Sequence, residues 1–305
     1  MATQLVQLPE VERLSASVVR ILGGNPGKFT LQGTNTYLIG RGPHRILLDT
    51  GEGKPAWATN LQSVLQEEKA TVHQAILTHW HGDHVNGIPD LQKLCPKAQI
   101  FKHQPEPTQN DIHDGQIFAV EGATLTAFHT PGHTVDHMVF LLEEENAMFT
   151  GDSKYMYTQL SIHMYAKRLC KRSKSKSNDN GTDVLGHGTA VFEDLKTYLN
   201  SLHRMRDRAT GRGYPGHGAV IENAGARITE YIQHRQQREE EVLRVLQDGK
   251  KEGEEGGGKW TSMELVKRIY KDVPESLHLP AERGVLQVLG KLEGEGRVRG
   301  EGGGG

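Results

Sequence analysis

One stretch constrains this chain more than any other: Thr78-His79-Trp80-His81-Gly82-Asp83-His84. Three imidazoles and a carboxylate crowd together directly after an apolar segment, His73 to Leu77, that reads as a buried strand. Imidazole nitrogen and carboxylate oxygen are the donors that Zn²⁺ accepts in catalytic sites. Side chains of a continuing strand alternate between faces, which would send Asp83 and His84 to opposite sides. The chain must therefore turn as it leaves the strand. A loop there lets His79 and His81 face one metal while Asp83 and His84 turn to a second. The plainer reading is a solvated histidine-rich loop.

Two metal sites need more ligands than these four residues. Thr130-Pro131-Gly132-His133 and Gly151-Asp152 each follow a strand-like segment, and Pro215-Gly216-His217-Gly218 supplies another histidine. Taken singly, each reads as ordinary turn punctuation. Together, at the ends of successive predicted strands, they complete a set of seven: His79, His81, Asp83, His84, His133, Asp152 and His217.

The surrounding pattern gives the architecture. Strands are predicted at residues 17–22, 36–39, 45–49, 73–77, 98–101, 117–120, 124–129, 138–142 and 147–150, as apolar or β-branched runs bounded by Gly and Pro. Helical spacing marks residues 56–68, 192–205 and 224–246, and residues 213–218 read as a turn. Strands, then helices, then strands again predict an α/β chain, an αββα sandwich with two sheets inside and helices outside. Its domain is expected to span residues 1–247. A charged, glycine-rich linker is expected at 248–258. Residues 259–299 carry two helical patterns and a short Gly-Arg-Val-Arg strand, which suggests a small winged-helix-like domain, and 300–305 read as a disordered tail.

A length of 305 residues accommodates one large and one small domain. The formal net charge of −2 argues against a generally basic nucleic-acid binder. Two cysteines, Cys95 and Cys170, make no disulfide framework. The early acids of the N-terminus resemble neither a signal nor a transit peptide, and no stretch is apolar and long enough to span a membrane. The expected location is cytoplasmic.

The run His79-x-His81-x-Asp83-His84, followed by His133, Asp152 and His217, resembles the metallo-β-lactamase superfamily in its glyoxalase II-like branch. The resemblance covers roughly residues 15 to 247. It implies two Zn²⁺ per chain: His79, His81 and His133 on the first, Asp83, His84 and His217 on the second, and Asp152 bridging. It further implies a hydrolase in which a metal-bridging hydroxide attacks an electrophilic carbonyl or phosphorus, with Asp83 as the catalytic carboxylate. The cysteine ligand of true β-lactamases is missing from this set, which disfavours antibiotic hydrolysis.

Longer stretches narrow the resemblance. Residues 21–38, Glu121-Gly-Ala-Thr-Leu and Val184-Leu-Gly-His-Gly-Thr-Ala-Val-Phe-Glu-Asp-Leu are similar to two sibling groups. One is the fungal metallo-β-lactamase-type thioesterases of aromatic polyketide pathways, the atrochrysone carboxyl acyl-carrier-protein thioesterases among them. The other is the lactamase-beta-like endoribonucleases of mitochondria, which implies single-stranded RNA as substrate. The N-terminus, the overall charge and a C-terminal module of eight basic against seven acidic residues lean toward the thioesterase, with an acyl-carrier protein as partner. A reading of another class is a partner-binding module with a vestigial metal site.

Residues 153–183 interrupt the pattern. The resemblance implies Gly-Asp-Asn running straight into Val-Leu-Gly-His-Gly, whereas here a polar insertion separates Asp152 from Val184. From Lys154 to Thr182 it carries seven basic residues and one acid. A basic nuclear-localisation or nucleic-acid patch is one reading. The other is a retained intron: Ser153-Lys154-Tyr155 can be encoded by a splice donor, Ser177-Asn178 by a branch site and Thr182-Asp183 by an acceptor. In-frame excision there restores Gly-Asp-Asn-Val-Leu-Gly-His-Gly.

Overall fold

Two β-sheets lie face to face in the computed structural model, which describes residues 5–152, 193–209, 211–249 and 259–300. The first has seven strands in chain order: β1 (Val11–Arg13), β2 (Val18–Leu22), β3 (Asn35–Ile39), β4 (His44–Leu48), β5 (Thr71–Leu77), β6 (Gln99–Lys102) and β7 (Asn110–Asp111). Pairing is antiparallel up to β4 and parallel from there on. The second sheet contains β8 (Ile117–Val120), β9 (Ala123–His129), β10 (Met138–Leu142), β11 (Ala147–Gly151) and β12 (Gly213–Pro215). Its pairs are antiparallel except β11 with β12, which run parallel.

Alternation along each strand sorts the side chains into layers. In β4, Ile46 and Leu48 point between the sheets, where they join Ile39, Ile76, Phe118, Leu125, Phe140 and Phe149 in the central core. Leu47 points the other way, onto Trp57, Leu61 and Leu65 of α1 (Pro55–Glu67). Because both faces are covered, these strands read as continuous apolar runs. Outside the second sheet, Val139 and Met148 pack on α4 (Leu195–Arg206) and α5 (Ala224–Asp248) through Tyr198, Leu202, Ile228 and Tyr231. The expected αββα sandwich is the observed one.

Beyond the sandwich, α6 (Ser262–Ile269) opens with a reciprocal capping box between Thr261 and Glu264. It packs on α7 (His278–Gly294) through Leu265, Val266, Ala281 and Val285. Val288 and Leu292 of α7 then reach Leu195 and Val242, so this module shares an apolar seam with α4 and α5. The expected Gly-Arg-Val-Arg strand does not form among the described residues: after α7 the chain turns at Gly296, which has φ +69°, and runs on without pairing. Helix α5 extends to Asp248, one residue into the expected linker. Two short helices escaped the sequence reading, α2 (Gly82–Val85) and α3 (Ile88–Leu94). The insertion at 153–183, most of the linker and residues 301–305 lie outside the described residues. Among the described residues no helix is long and apolar enough to cross a membrane.

Topology sets the site. Strands β4 and β5 run parallel, so Asp49 and Thr78-His79 emerge at one edge. Strands β9, β11 and β12 share one direction, which brings His133, Asp152 and His217 out at a common edge of the other sheet. The mouth between the two edges is where the sequence-predicted residues meet.

Candidate metal centre

All seven predicted residues converge there, in two groups. His79, His81, His133 and Asp152 place donor atoms within 4.8 Å of one another, and so do Asp83, His84 and His217. In the first group His81 Nδ1 lies 2.9 Å from His79 Nε2 and 3.1 Å from His133 Nε2. In the second, Asp83 Oδ2 lies 3.4 Å from His84 Nε2 and 3.2 Å from His217 Nε2. Asp152 stands between them. Its Oδ2 is 3.6 Å from His133 Nε2 and 3.9 Å from His79 Nε2, while its Oδ1 is 3.4 Å from His84 Nε2 and 3.3 Å from His217 Nε2.

Neighbouring groups aim these nitrogens. Asp49, just past β4 in a left-handed conformation, accepts from Thr78 N–H at 2.8 Å and faces His84 Nδ1 at 2.7 Å. The carboxylate accepts the Nδ1–H, so in the neutral ring the Nε2 lone pair points at Asp83 and Asp152. Thr78 Oγ1 donates to Asp49 at 2.9 Å and sits 2.9 Å from His79 Nδ1, so it holds that ring with Nε2 inward as well. Asn35 fixes the third segment. Its Nδ2 donates to the carbonyls of Pro215 and Gly218, at 2.8 and 2.9 Å, and Tyr37 Oη donates to Pro215 O at 2.7 Å. Thr34 Oγ1 donates to Asp83 Oδ2 at 3.2 Å and itself accepts from Asn25 Nδ2 at 3.1 Å. Gly216 lets the His217 segment approach, because a Cβ there would stand 2.5 Å from Asp152 Oδ1.

The electrostatics are those of a cation site. Burial pushes the His79 imidazole well below its usual range, helped by the neighbouring His84. Burial likewise lowers His81, and it holds His137, beside them, down at about 3. Burial opposes charge on His84 and His217 too, but Asp152 and Asp49 raise His84 well above its usual range, and Asp152 and Asp83 bring His217 up to about 9. Burial resists ionisation of Asp83 and Asp152, yet His217 and His84 hold both carboxyls far below theirs. Asp152 Oδ1 is buried and has no hydrogen-bond partner among the described residues. Imidazole nitrogens that face one another and a carboxylate oxygen without a donor are what a divalent cation satisfies. The donor set fits a divalent metal, with Asp152 facing both groups.

Residues outside the donor set complete the site. Trp80, between two histidines of the first group, is 52% exposed, with its ring 4.5 Å from that of His81. Asp49, Asn35, Thr34, Tyr37 and His137 were not singled out by the sequence reading. Asp49 left a signal as an acid at the end of a predicted strand, and Thr34, Asn35 and Tyr37 lie in the stretch 21–38 that carries the resemblance.

Comparison with known proteins agrees with this geometry. The model of the metallo-beta-lactamase superfamily matches residues 29–103 and 100–217, and that of the beta-lactamase associated winged helix domain matches 261–305. An atrochrysone carboxyl ACP thioesterase of Aspergillus chevalieri is 44% identical over 299 residues, 97% of this chain and 87% of that protein. The lactamase-like protein nscB of Arthroderma gypseum is 45% identical over 304 residues, 96% of this chain and 87% of the relative. Among solved structures, a beta-lactamase domain protein from Burkholderia ambifaria superposes with a TM-score of 0.69 at 16% identity, over 97% of this chain and 93% of the other. A metallo-beta-lactamase family protein from Thermus thermophilus gives 0.62 at 23% identity, over 95% and 97%. At these identities the two structures speak to the fold alone.

Proposed function

The chain belongs to the metallo-β-lactamase superfamily, and from that premise we propose that it is a zinc-dependent thioesterase acting in the cytoplasm. Its substrate is an aromatic polyketide held as a thioester on the acyl-carrier protein of a non-reducing polyketide synthase. The observation that carries this reading is the near-full-length similarity to a protein named as an acyl-carrier-protein thioesterase, in a chain that gathers all seven donors.

His79, His81 and His133 would hold one zinc, Asp83, His84 and His217 the other, with Asp152 shared. Bound there, the pair supplies Lewis-acid activation of water and of the acyl oxygen. The chain's own residues do the rest. Asp83 has 23% of its side chain exposed, against 4% for Asp152, so it is the carboxylate of the donor set in contact with solvent. Held ionised at neutral pH, it orients water and accepts a proton, while the Thr34 hydroxyl keeps its Oδ2 turned inward. Asp152 stays buried and structural. The leaving group is a thiolate, whose conjugate acid has a pKa of ~8.5, so no strong general acid is required.

The test is purified full-length protein offered two substrates: a carrier-protein-bound aromatic polyketide and a single-stranded RNA. Release of free carrier thiol with intact RNA supports the proposal. Cleaved RNA with persisting thioester overturns it, and protein that binds no metal would point instead to a binding module.

A further inference from the structure

His137 belongs to neither donor group, yet it is fully buried beside the first, its ring 5.4 Å from that of His79 and 5.7 Å from that of His133. Its Nε2 accepts the backbone N–H of Asp152 at 3.1 Å, and its Nδ1 lies 2.9 Å from Thr130 Oγ1. A ring nitrogen that accepts from an amide carries no proton, so the proton sits on Nδ1 and goes to the threonine. Thr130 and His137 also close the loop that carries His133, because Thr130 N–H donates to the His137 carbonyl at 2.9 Å. One imidazole thus ties the segment supplying His133 to the segment supplying Asp152. Gly151 is shaped to it: its φ is +46°, and a Cβ there would stand 2.6 Å from His137 Nε2.

The geometry points to His137 as the positioning residue that sets where the Asp152 carboxylate stands, through the peptide N–H at the root of that side chain. Asp152 offers one oxygen to each donor group, so a small rotation of its backbone displaces both oxygens together. Without the imidazole acceptor that buried N–H loses its partner, and the segment shifts to find another. The inference rests on reading the seven residues as metal ligands and is independent of the substrate.

The experiment is a cobalt(II) titration of the metal-free full-length protein, followed by visible absorption, for the wild type and for His137→Gln, His137→Leu and Thr130→Val. Gln places an acceptor oxygen near the position of Nε2, and Leu removes it. Thr130→Val leaves the imidazole in place but takes away the partner that fixes its tautomer. We expect Leu and Val to weaken cobalt binding about 10–100-fold and to alter the spectrum, with Gln close to wild type. Wild-type affinity in Thr130→Val, or a Gln variant as impaired as Leu, would overturn the role. Should the Leu variant fail to fold, the Gln and Val variants decide between these outcomes. A wild type that takes up no cobalt refutes the metal reading itself and this role with it.

Discussion

Asp49→Asn is the perturbation whose consequence the structure dictates most fully. The carboxylate accepts from Thr78 N–H at 2.8 Å through Oδ1, and from Thr78 Oγ1 and His84 Nδ1 at 2.9 and 2.7 Å through Oδ2. An asparagine must keep its carbonyl toward the Thr78 amide, since the reverse would set donor against donor. Its NH₂ then faces His84 Nδ1. That nitrogen has to become an acceptor, which moves the imidazole proton to Nε2, the atom aimed at Asp83 and Asp152. The shape is preserved and the tautomer is wrong for a ligand. Loss of such an outer partner costs about 10–100-fold in metal affinity, or about 1.4–2.7 kcal/mol. The hydrogen bond to Thr78 N–H survives, so the variant should fold. Competition titration of metal against a chromophoric chelator measures the affinity, with circular dichroism confirming the fold. Asp49→Asn that binds metal as tightly as wild type would refute the tautomer argument.

Three further outcomes are expected. Asp83→Ala and His84→Ala should each abolish thioester hydrolysis while leaving the circular dichroism spectrum intact, and near-wild-type turnover in either contradicts the assigned roles. Metal-free protein should lose melting temperature as pH rises from about 7.5 toward 9. His217 is raised to about 9 and His84 is raised well above its usual range, so both contribute stability that is full below the unfolded pKa and lost as pH climbs through the folded values. His79, His81 and His137, all lowered, are neutral in the folded protein and oppose this slope only below about pH 7.5, where the unfolded chain still binds protons. Metal-loaded protein should lack this decline, because bound metal requires both imidazoles unprotonated, and an equal decline in both forms would sink the assignment. Finally, we propose that residues 153–183 are a retained intron, so mature messenger RNA should read Gly-Asp-Asn-Val. A transcript that keeps those codons, encoding a protein as active as the shortened one, would disprove it.

The candidate ligands were legible in the sequence because most sit where a predicted strand ends. His79 to His84 are clustered in one stretch, His133 and Asp152 follow apolar runs that stop at a Pro-Gly or a Gly, and His217 is marked only by its Pro-Gly turn. Residues that aim those ligands carry no such mark. Asn35 and Tyr37 lie inside a buried strand, and their purpose is a hydrogen bond to Pro215, far along the chain. His137 stands just before β10 and carries no mark of its own until its contact with Asp152 is seen. Helix α3, with 7 residues, is too short for a clear periodic signal, and Pro89 fits its first turn, where a proline forfeits no hydrogen bond. Strand β12 is too short for a periodic signal: its three residues are fixed by pairing with β11. The apolar seam between α7 and the sandwich was equally hidden, since helical spacing shows an apolar face without saying what covers it.

The central claim is metal-dependent cleavage of a carrier-protein thioester, and the most direct measurement is the rate of carrier thiol release under single turnover. Wild-type protein loaded with zinc, the same protein stripped by chelator, and stripped protein given zinc again should be compared on one aromatic polyketide carrier-protein substrate. The account predicts rapid release, its loss on stripping and its return with zinc. Release that is indifferent to chelation, or a thioester that persists with zinc-loaded protein, would contradict it.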